Sequence, residues 1–221
     1  MSCAAIRCHF RTMLKPALMQ IAYPSPEAAG MMCRKLLQAP LLILDVEANG
    51  ARHASEIVEI GLVDEKGAVV YHSLVQANQA STPHAFAVHG IPQSALRDAP
   101  TFEEIWPQVR DLLLSRPVIS FDIRSDLAFL TQTLARHGIV EPRLAELKLQ
   151  CAMLLYRAYR QSPQCIGLKQ ACEEMGIDAN QRHRVIDDCR MTLALLESMS
   201  EGRAVAPVAS LNPAAGSLGD C

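Results

Sequence analysis

The spacing of hydrophobic and polar positions predicts strands in the first half of this chain. A continuous aliphatic run, Leu41–Val46, has the length of a strand that is buried on both faces. Glu56–Val63 alternates apolar and polar residues, Val69–Val75 is rich in β-forming residues, and turn residues separate the two. These two segments predict a β-hairpin. Residues 77–100 are rich in Pro, Ser, Ala and Asn, which predicts a long surface loop with a short helical piece.

Helical periodicity dominates the second half of the chain. Thr101–Ser115 begins with a capping box of Thr101 and Glu104, and its apolar residues recur at helical spacing. Pro117–Phe121 is predicted to be a short buried strand, and Asp126–His137 an amphipathic helix. Further helical patterns occur at Glu27–Leu37, Cys151–Arg160, Gly167–Met175 and Arg184–Ser200. Strands come first and helices later, an order that predicts an α/β fold around one mixed sheet.

Composition is that of a globular protein with one domain. The 221 residues are 50% hydrophobic and 20% charged, which excludes a fibrous or disordered chain. We expect a domain at 40–200, a partly helical or disordered extension at 1–39, and a disordered tail at 201–221. The first 26 residues contain no Asp or Glu. A targeting segment, a disordered extension or a later start of translation would each explain this composition. The sequence contains no run of 18 or more apolar residues, so no membrane-spanning helix is predicted.

The cysteines and the net charge bear on the cellular location and on the partners of the protein. Eight cysteines include no CxxC pair, and no clean secretory signal is visible, so we expect reduced thiols and a cytoplasmic protein. The formal charge of −2 comes from 21 basic and 23 acidic residues, so composition alone does not indicate nucleic-acid binding.

Two acids at the end of the aliphatic strand carry the first chemical signal. Asp45 and Glu47 are two residues apart, so both carboxylates project from one face of a strand, about 7 Å apart along the chain. Like charges at the edge of a buried sheet repel and lose hydration, and a divalent cation such as Mg²⁺ or Mn²⁺ would compensate them. The alternative is a pair of acids in a turn that leads to Asn49 and Gly50.

Two later segments place further acids and a histidine beside helices. Asp126 stands at the start of its helix, where an acid is also favoured as a cap or by the helix dipole. His183 precedes the last helix, and Asp188 lies within about its first turn. Each of these residues, taken singly, fits a structural role as well as a catalytic one.

In this order the segments resemble the DEDD 3′–5′ exonucleases of the ribonuclease-H-like superfamily, in the subgroup with a fourth-motif histidine (DEDDh, DnaQ-like). Asp45–Gly50 matches the first motif, D-x-E-T-x-G, and Asp126–Leu130 matches D-x-x-F-L. His183–Asp188 matches H-x-A-x-x-D. Glu56–Gly61 resembles the family's next strand, and His89–Ile91 its H-G-I turn. The resemblance covers about 160 of the 221 residues.

The chain departs from the family pattern at three places. Phe121–Asp126 replaces the usual H-N-A-x-F-D, so the His-Asn pair is absent and Asp122 stands in the asparagine position. Ala48 replaces the threonine of the first motif, and Val185 replaces the alanine of the fourth. These departures bear on substrate preference and turnover more than on metal binding.

The resemblance implies a fold, a reaction and a set of roles. The fold is a mixed five-stranded sheet flanked by helices, and the reaction is metal-dependent hydrolysis at 3′ ends that releases nucleoside 5′-monophosphates. Two ions, Mg²⁺ or Mn²⁺, are implied. The implied ligands and general base are Asp45, Glu47, Asp126 and Asp188 with His183 as the base. The implied substrate contacts are Ala48, His89, Phe129 and Arg184.

The substrate and the partners are less closely defined by the sequence. DNA ends are favoured over RNA, but no residue is identified that would sense a 2′-hydroxyl group. An exoribonuclease or oligoribonuclease of the same fold is one alternative, and a non-catalytic nucleic-acid-binding module is another. No membrane partner is expected, and the chain is expected to act alone, as a homodimer or with a polymerase. Without the four proposed ligand acids the net charge is +2, which permits an anionic polymer.

Overall fold

A five-stranded mixed sheet forms the centre of the protein. The computed structural model describes residues 25–51, 55–179 and 184–205. The strands are β1 (Leu42–Ala48), β2 (Ile57–Asp64), β3 (Val69–Leu74), β4 (Val118–Ser120) and β5 (Leu149–Cys151). Their order in the sheet is β3-β2-β1-β4-β5, with β1, β2 and β3 antiparallel and with β4 and β5 parallel to β1. The predicted mixed sheet and the predicted hairpin are therefore confirmed.

Helices cover both faces of this sheet. They are α1 (Pro26–Leu37), α2 (Pro83–His89), α3 (Gln93–Arg97), α4 (Phe102–Ser115), α5 (Ile123–Arg136), α6 (Ala152–Tyr159), α7 (Leu168–Glu174) and α8 (Val185–Ser200), with a 3₁₀ helix at Pro142–Glu146. The predicted capping box at the start of α4 is present. No helix among the described residues is both long and apolar enough to cross a lipid bilayer.

The aliphatic run in β1 divides its side chains between two cores. Leu42 and Leu44 pack with residues of α4 and α5 on one face of the sheet. Leu41 and Ile43 pack with residues of α1, α6 and α8 on the other face. Because alternate residues of a strand point to opposite faces, a central strand covered by helices on both sides must be apolar throughout. This arrangement explains the unbroken hydrophobic run.

The connection between β3 and α4 and the start of α5 differ from expectation. Residues 77–100 contain two short helices, α2 and α3, where the sequence predicts one helical piece in a loop. α5 begins at Ile123, three residues before the predicted start, so Asp126 lies inside its first turn. Cys151 ends β5 and does not belong to a helix. That three-residue strand is too short to show a periodicity of its own.

The ends of the chain fall partly outside the described residues. α1 lies in the predicted extension, and its Ala29 and Cys33 are fully buried against the core that contains α8. The guanidinium of Arg34 donates to the Ser200 carbonyl oxygen at 2.6 Å, at the end of α8. The predicted tail begins after this helix, and residues 206–221 lie outside the part of the chain that is described, as do residues 1–24.

Candidate active site

Two carboxylates of β1 face the layer that contains α8. Asp45 and Glu47 continue the face of Ile43, because residues two apart in a strand point the same way. In the antiparallel ladder with β2, Asp45 lies opposite Gly61 and Glu47 lies opposite Glu59. The predicted common face of the two acids is therefore directed at the last helix, and their neighbours on β2 share that face.

The last helix brings a third carboxylate to this face. Asp188 lies in the first turn of α8, where the positive end of the helix dipole favours an acid. Its backbone N–H donates to the Arg184 carbonyl oxygen at 3.0 Å, which fixes its place in the turn. One carboxylate oxygen each from Asp45, Glu47 and Asp188 lie within 4.8 Å of one another. The fold thus joins residues that are far apart in the sequence.

Asp126 reaches the same region from the edge where β1 and β4 end. The two strands are parallel, so their carboxyl ends lie at one edge of the sheet, and α5 begins three residues after β4. Asp126 is buried in the first turn of α5, and its carboxylate accepts a hydrogen bond from the hydroxyl of the buried Ser120. Asp126 is not among the three acids that share the 4.8 Å group. We call Asp45, Glu47, Asp126 and Asp188 together the acid cluster.

Burial and the neighbouring carboxylates raise the pKa values of three acids in this cluster, Asp45, Glu47 and Asp126. Burial and the neighbouring carboxylates, first that of Asp126 and then that of Asp188, raise the pKa of Asp45. Burial and the charge of Asp188 raise the pKa of Glu47 to about 8. Burial also raises the pKa of Asp126 to about 8, although the hydrogen bond from Ser120 opposes the shift. These mutual shifts place all four carboxylates within electrostatic range of one another.

The donor set suits a divalent cation. Carboxylate oxygens are hard ligands of the kind that Mg²⁺, Mn²⁺ and Ca²⁺ prefer. A cation would offset the repulsion that raises the pKa values of the cluster, and it would hold the carboxylates in their ionised form. The cluster can therefore hold a divalent metal ion, as the family resemblance leads us to expect.

The turn after β1 ties α2 to the acid cluster. The side-chain oxygen of Asn49 accepts a hydrogen bond from the Glu56 N–H at 2.8 Å. The backbone carbonyl oxygen of Asn49 accepts one from the Thr82 N–H, also at 2.8 Å. Thr82 caps the start of α2, and His89 ends this helix. A Cβ at Gly50 would lie 3.0 Å from the Ser55 hydroxyl oxygen, so the turn is closely packed. The H-G-I turn is thereby held to the end of β1.

The predicted substrate contacts have different environments. His89 is buried, its Nδ1 accepts from the Ile91 N–H at 2.9 Å, and its Nε2 has no hydrogen-bond partner among the described residues. Ala48 is the buried last residue of β1. Phe129 is half-buried and packs against the core between the sheet and α4 and α5. His183, the predicted base, lies outside the described residues.

Arg184 forms an ion pair that the sequence did not predict. Its Nε lies 3.1 and 3.0 Å from the two Glu59 carboxylate oxygens, and its Nη2 lies 2.6 Å from Oε1. His72 Nε2 lies 2.8 Å from the same oxygen. Glu59 is almost fully buried, although glutamate side chains are ordinarily exposed. Ser120 was also missed, because a lone serine in a short apolar strand carries no chemical signal.

Asp122 occupies a different place from the acid cluster. It is the N-cap residue of α5, and its carboxylate accepts from the Ser125 hydroxyl at 2.6 Å. Its charge contributes to the raised pKa of Asp126, so it lies near the cluster without belonging to the group of acids that share ligand distance. The extra acid in the asparagine position of the motif therefore has a local structural partner.

The five-stranded mixed sheet and the acid cluster are those expected of a nuclease with a ribonuclease-H-like fold. The sequence model of the exonuclease family, RNase_T, matches residues 42–196, and the chain belongs to this family. It is 28% identical over 181 residues to the uncharacterized exonuclease CP81 of Escherichia phage 186, covering 77% of this chain and 93% of that protein. The DNA polymerase III epsilon subunit of Aquifex aeolicus is 22% identical, over 75% of this chain and 83% of the subunit.

Matches also occur to a segment of larger polymerases and to solved structures. The PolC-type DNA polymerase III of Thermotoga maritima is 26% identical over 70% of this chain, which spans only 11% of that protein. The nuclease domain of 3′hExo, a DEDDh family member solved with rAMP, superposes with a TM-score of 0.59 at 17% identity. This superposition covers 75% of the present chain and 94% of that domain, and it confirms the expected fold.

Proposed function

We propose that this protein is a metal-dependent 3′–5′ exonuclease that hydrolyses phosphodiester bonds at nucleic-acid 3′ ends and releases nucleoside 5′-monophosphates. The observation that carries the proposal is the meeting of Asp45, Glu47 and Asp188 within ligand distance, with Asp126 beside them. Four buried or half-buried acids from three separate elements have no other evident reason to converge. The membership of the chain in the exonuclease family supports the same reaction.

The acid cluster would hold two Mg²⁺ or Mn²⁺ ions. When bound, such ions stabilise the attacking and leaving oxygens of an in-line displacement at phosphorus. Asp45 and Glu47 offer oxygens from the sheet, Asp188 from the last helix, and Asp126 from the edge of the sheet. The Ser120 hydroxyl leaves one oxygen of Asp126 for a metal, because it binds the other.

We assign His183 as the general base that accepts the proton of the attacking water. It directly precedes Arg184, the N-cap residue of α8, and Asp188 follows in the first turn of that helix. A histidine suits the role because its unperturbed pKa is near neutral pH. The change His183→Ala should lower kcat by about 10²–10⁴-fold, with a divalent-metal affinity close to that of the wild type. Unchanged turnover would contradict the assignment.

His89 is the best placed of the proposed substrate contacts. Burial lowers the pKa of its imidazole, so the ring is neutral at physiological pH. Its Nδ1 accepts a backbone hydrogen bond, so the proton of the neutral ring lies on Nε2, which can donate to a substrate oxygen. Ala48 and Phe129 would contact the terminal nucleotide from the end of β1 and from α5.

DNA ends are the proposed substrate. The relatives include a DNA polymerase III epsilon subunit and a PolC-type DNA polymerase III, which supports DNA as the substrate. The structure solved with rAMP is that of a protein with the same fold, so RNA is the alternative that an assay must separate. The same polymerase relatives support association with a polymerase, and light scattering on the purified chain distinguishes a monomer from a homodimer.

One assay tests reaction, polarity and substrate together. Single-stranded DNA and RNA of the same sequence, labelled at the 5′ end, are incubated with Mg²⁺, Mn²⁺ or chelator. We expect a ladder that shortens from the 3′ end with either metal, faster on DNA, and none with chelator. Asp126→Asn should abolish the ladder, whereas the matched change Asp187→Asn, beside the cluster on α8, should not. Equal degradation by wild type and Asp126→Asn would overturn the proposal.

A further inference from the structure

A buried carboxylate on β2 lies next to the acid cluster and is paired with the N-cap residue of α8. Glu59 stands opposite Glu47 in the ladder between β1 and β2, and its side chain is 1% exposed. Two nitrogens of the Arg184 guanidinium contact it at 2.6 to 3.1 Å, and His72 adds a contact of 2.8 Å. Burial opposes ionisation, but the hydrogen bonds from Arg184 and His72 hold the pKa of Glu59 below its ordinary value.

The same arginine defines the backbone position of a proposed metal ligand. Arg184 is the N-cap residue of α8, and its carbonyl oxygen accepts the N–H of Asp188 at 3.0 Å. A movement of Arg184 would therefore shift the first turn of the helix and the carboxylate that the turn carries. The Arg184 side chain makes no capping hydrogen bond to α8, and it pairs instead with Glu59 on the strand below.

The first turn of α8 is packed against the strands with little free space. A Cβ at Gly61, next to Glu59 on the same face of β2, would lie 2.7 Å from a methyl carbon of Val185. One turn later, the Cys189 sulfur lies 3.3 Å from the Ile43 carbonyl oxygen of β1. The helix start is thus held by close packing against β1 and β2 and by the ion pair with Glu59.

We infer that Glu59 and Arg184 are a positioning pair that places Asp188 for metal binding. This inference rests on the proposed function, because it assigns Asp188 to the metal site. It also gives Arg184 a different task from the phosphate contact that the family resemblance implies, since Glu59 engages two of its three guanidinium nitrogens. Neither residue is a ligand or a reacting group.

Two charge-removing variants separate positioning from a simple effect of charge. Arg184→Gln leaves the negative Glu59 beside the cluster, so an effect of charge alone would tighten the binding of a cation. Glu59→Gln leaves the positive Arg184 there, so an effect of charge alone would weaken it. Positioning predicts that both changes weaken binding of Mn²⁺ by about 10- to 100-fold. The double variant should be no weaker than the weaker single variant, because one unit is broken only once.

Dissociation constants for Mn²⁺ are measured by electron paramagnetic resonance, and kcat and KM on single-stranded DNA are measured in the same buffers. Circular dichroism checks that each variant is folded. Arg184→Lys keeps the positive charge, so we expect it to bind Mn²⁺ more tightly than Arg184→Gln and less tightly than the wild type. The matched control is Glu174→Gln, which alters another buried pair, Arg160–Glu174, with N···O contacts of 3.1 Å. This control should bind Mn²⁺ like the wild type.

Each result has one reading. Tighter Mn²⁺ binding by Arg184→Gln, or unchanged binding by both single variants, would overturn the positioning role. A tenfold rise in KM for Arg184→Gln and Arg184→Lys with unchanged Mn²⁺ affinity would assign Arg184 to substrate phosphate. Failure of the wild type to degrade any oligonucleotide would overturn the proposed function, while the Mn²⁺ constants of the variants would still test the positioning pair.

Discussion

Two regions of the protein bury acidic side chains, and they do so in opposite ways. Glu174 on α7 accepts hydrogen bonds from Tyr156 at 2.8 Å and from Gln170 at 3.0 Å, and it is paired with the Arg160 guanidinium at 3.1 Å. In the acid cluster, burial and neighbouring carboxylates raise the pKa values of Asp45, Glu47 and Asp126, while the charge of Arg184 opposes the shift of Glu47.

The difference shows which of the two regions is built for an ion. A buried acid that serves the fold alone is neutralised by a neighbouring side chain, as Glu174 is by Arg160. In the acid cluster, neighbouring carboxylates add to the effect of burial and raise the pKa values of Asp45, Glu47 and Asp126. Such an arrangement costs stability without a metal and becomes favourable when a divalent cation is bound.

The largest expected effect is on catalysis. Asp188→Asn should lower kcat by about 10³-fold, because it removes a ligand oxygen that supports charge stabilisation in the transition state. The same change should raise the thermal midpoint of metal-free protein, since one of several repelling charges is lost. Kinetics and calorimetry on Asp188→Asn and on the neighbouring control Asp187→Asn measure both effects. A fall in both activity and metal-free stability would contradict the contrast drawn between the acid cluster and the paired Glu174.

The paired region should respond in the opposite way. Arg160→Leu should lower the free energy of unfolding by about 3–5 kcal/mol, because Glu174 would be left as an unpaired buried charge. The kcat of the folded fraction should stay within twofold of the wild type. Chemical denaturation gives the stability, and activity per folded molecule gives the kcat. A stable variant would mean that Tyr156 and Gln170 suffice to hold Glu174.

The stability of the metal-free protein should fall as pH rises through the neutral range. The ordinary pKa of a glutamate is about 4.3, whereas that of Glu47 in the fold is about 8. Between these values the folded state keeps protons that the unfolded chain has released, so a rise in pH favours unfolding. Mg²⁺ requires ionised carboxylates, so its stabilising effect should be small at pH 5.

At pH 8 and at a hundredfold excess over its Kd, Mg²⁺ should add about 2.7 kcal/mol to the free energy of unfolding. Urea unfolding at the two pH values, with Mg²⁺ and with chelator, measures the difference. The double variant Asp45→Asn/Asp188→Asn serves as control and should show little dependence on Mg²⁺. An equal effect of Mg²⁺ on the wild type at both pH values would contradict proton competition in the cluster.

The smallest effect concerns the serine beside Asp126. Ser120→Ala removes a hydrogen bond that lowers the pKa of Asp126, so protons should compete better with the metal. At neutral pH we expect a loss of about 1 kcal/mol in metal binding, close to a fivefold weaker affinity. Titration with Mn²⁺ measures it, and Ser125→Ala, which removes a hydrogen bond to Asp122, is the matched control. Equal losses in the two variants would exclude a specific role for Ser120.

The sequence predicted the parts of this site that depend on local geometry. Strand periodicity alone put Asp45 and Glu47 on one face, and the structure has them there. The convergence of Asp126 and Asp188 depends on the crossover of β4 and on the path of the last helix, so residue spacing could not predict it. The motif order of a known family supplied that expectation.

Long-range pairing explains what the sequence could not predict. Glutamate side chains are ordinarily exposed, but Glu59 is buried and is paired with Arg184, 125 residues later in the sequence. Glu56, which directly precedes β2, is buried beside the imidazole of His137, the C-cap residue of α5. Such partners come from elements that only the tertiary fold brings together.

The most direct test of the acid cluster is the location of a bound metal. Crystals of the wild-type protein soaked in Mn²⁺ and measured at the manganese edge show the ion by its anomalous signal. We predict anomalous peaks at the carboxylates of Asp45, Glu47, Asp126 and Asp188, and none there in Asp188→Asn crystals of the same form. Anomalous peaks only at other surface acids, with this cluster free of manganese, would contradict the account.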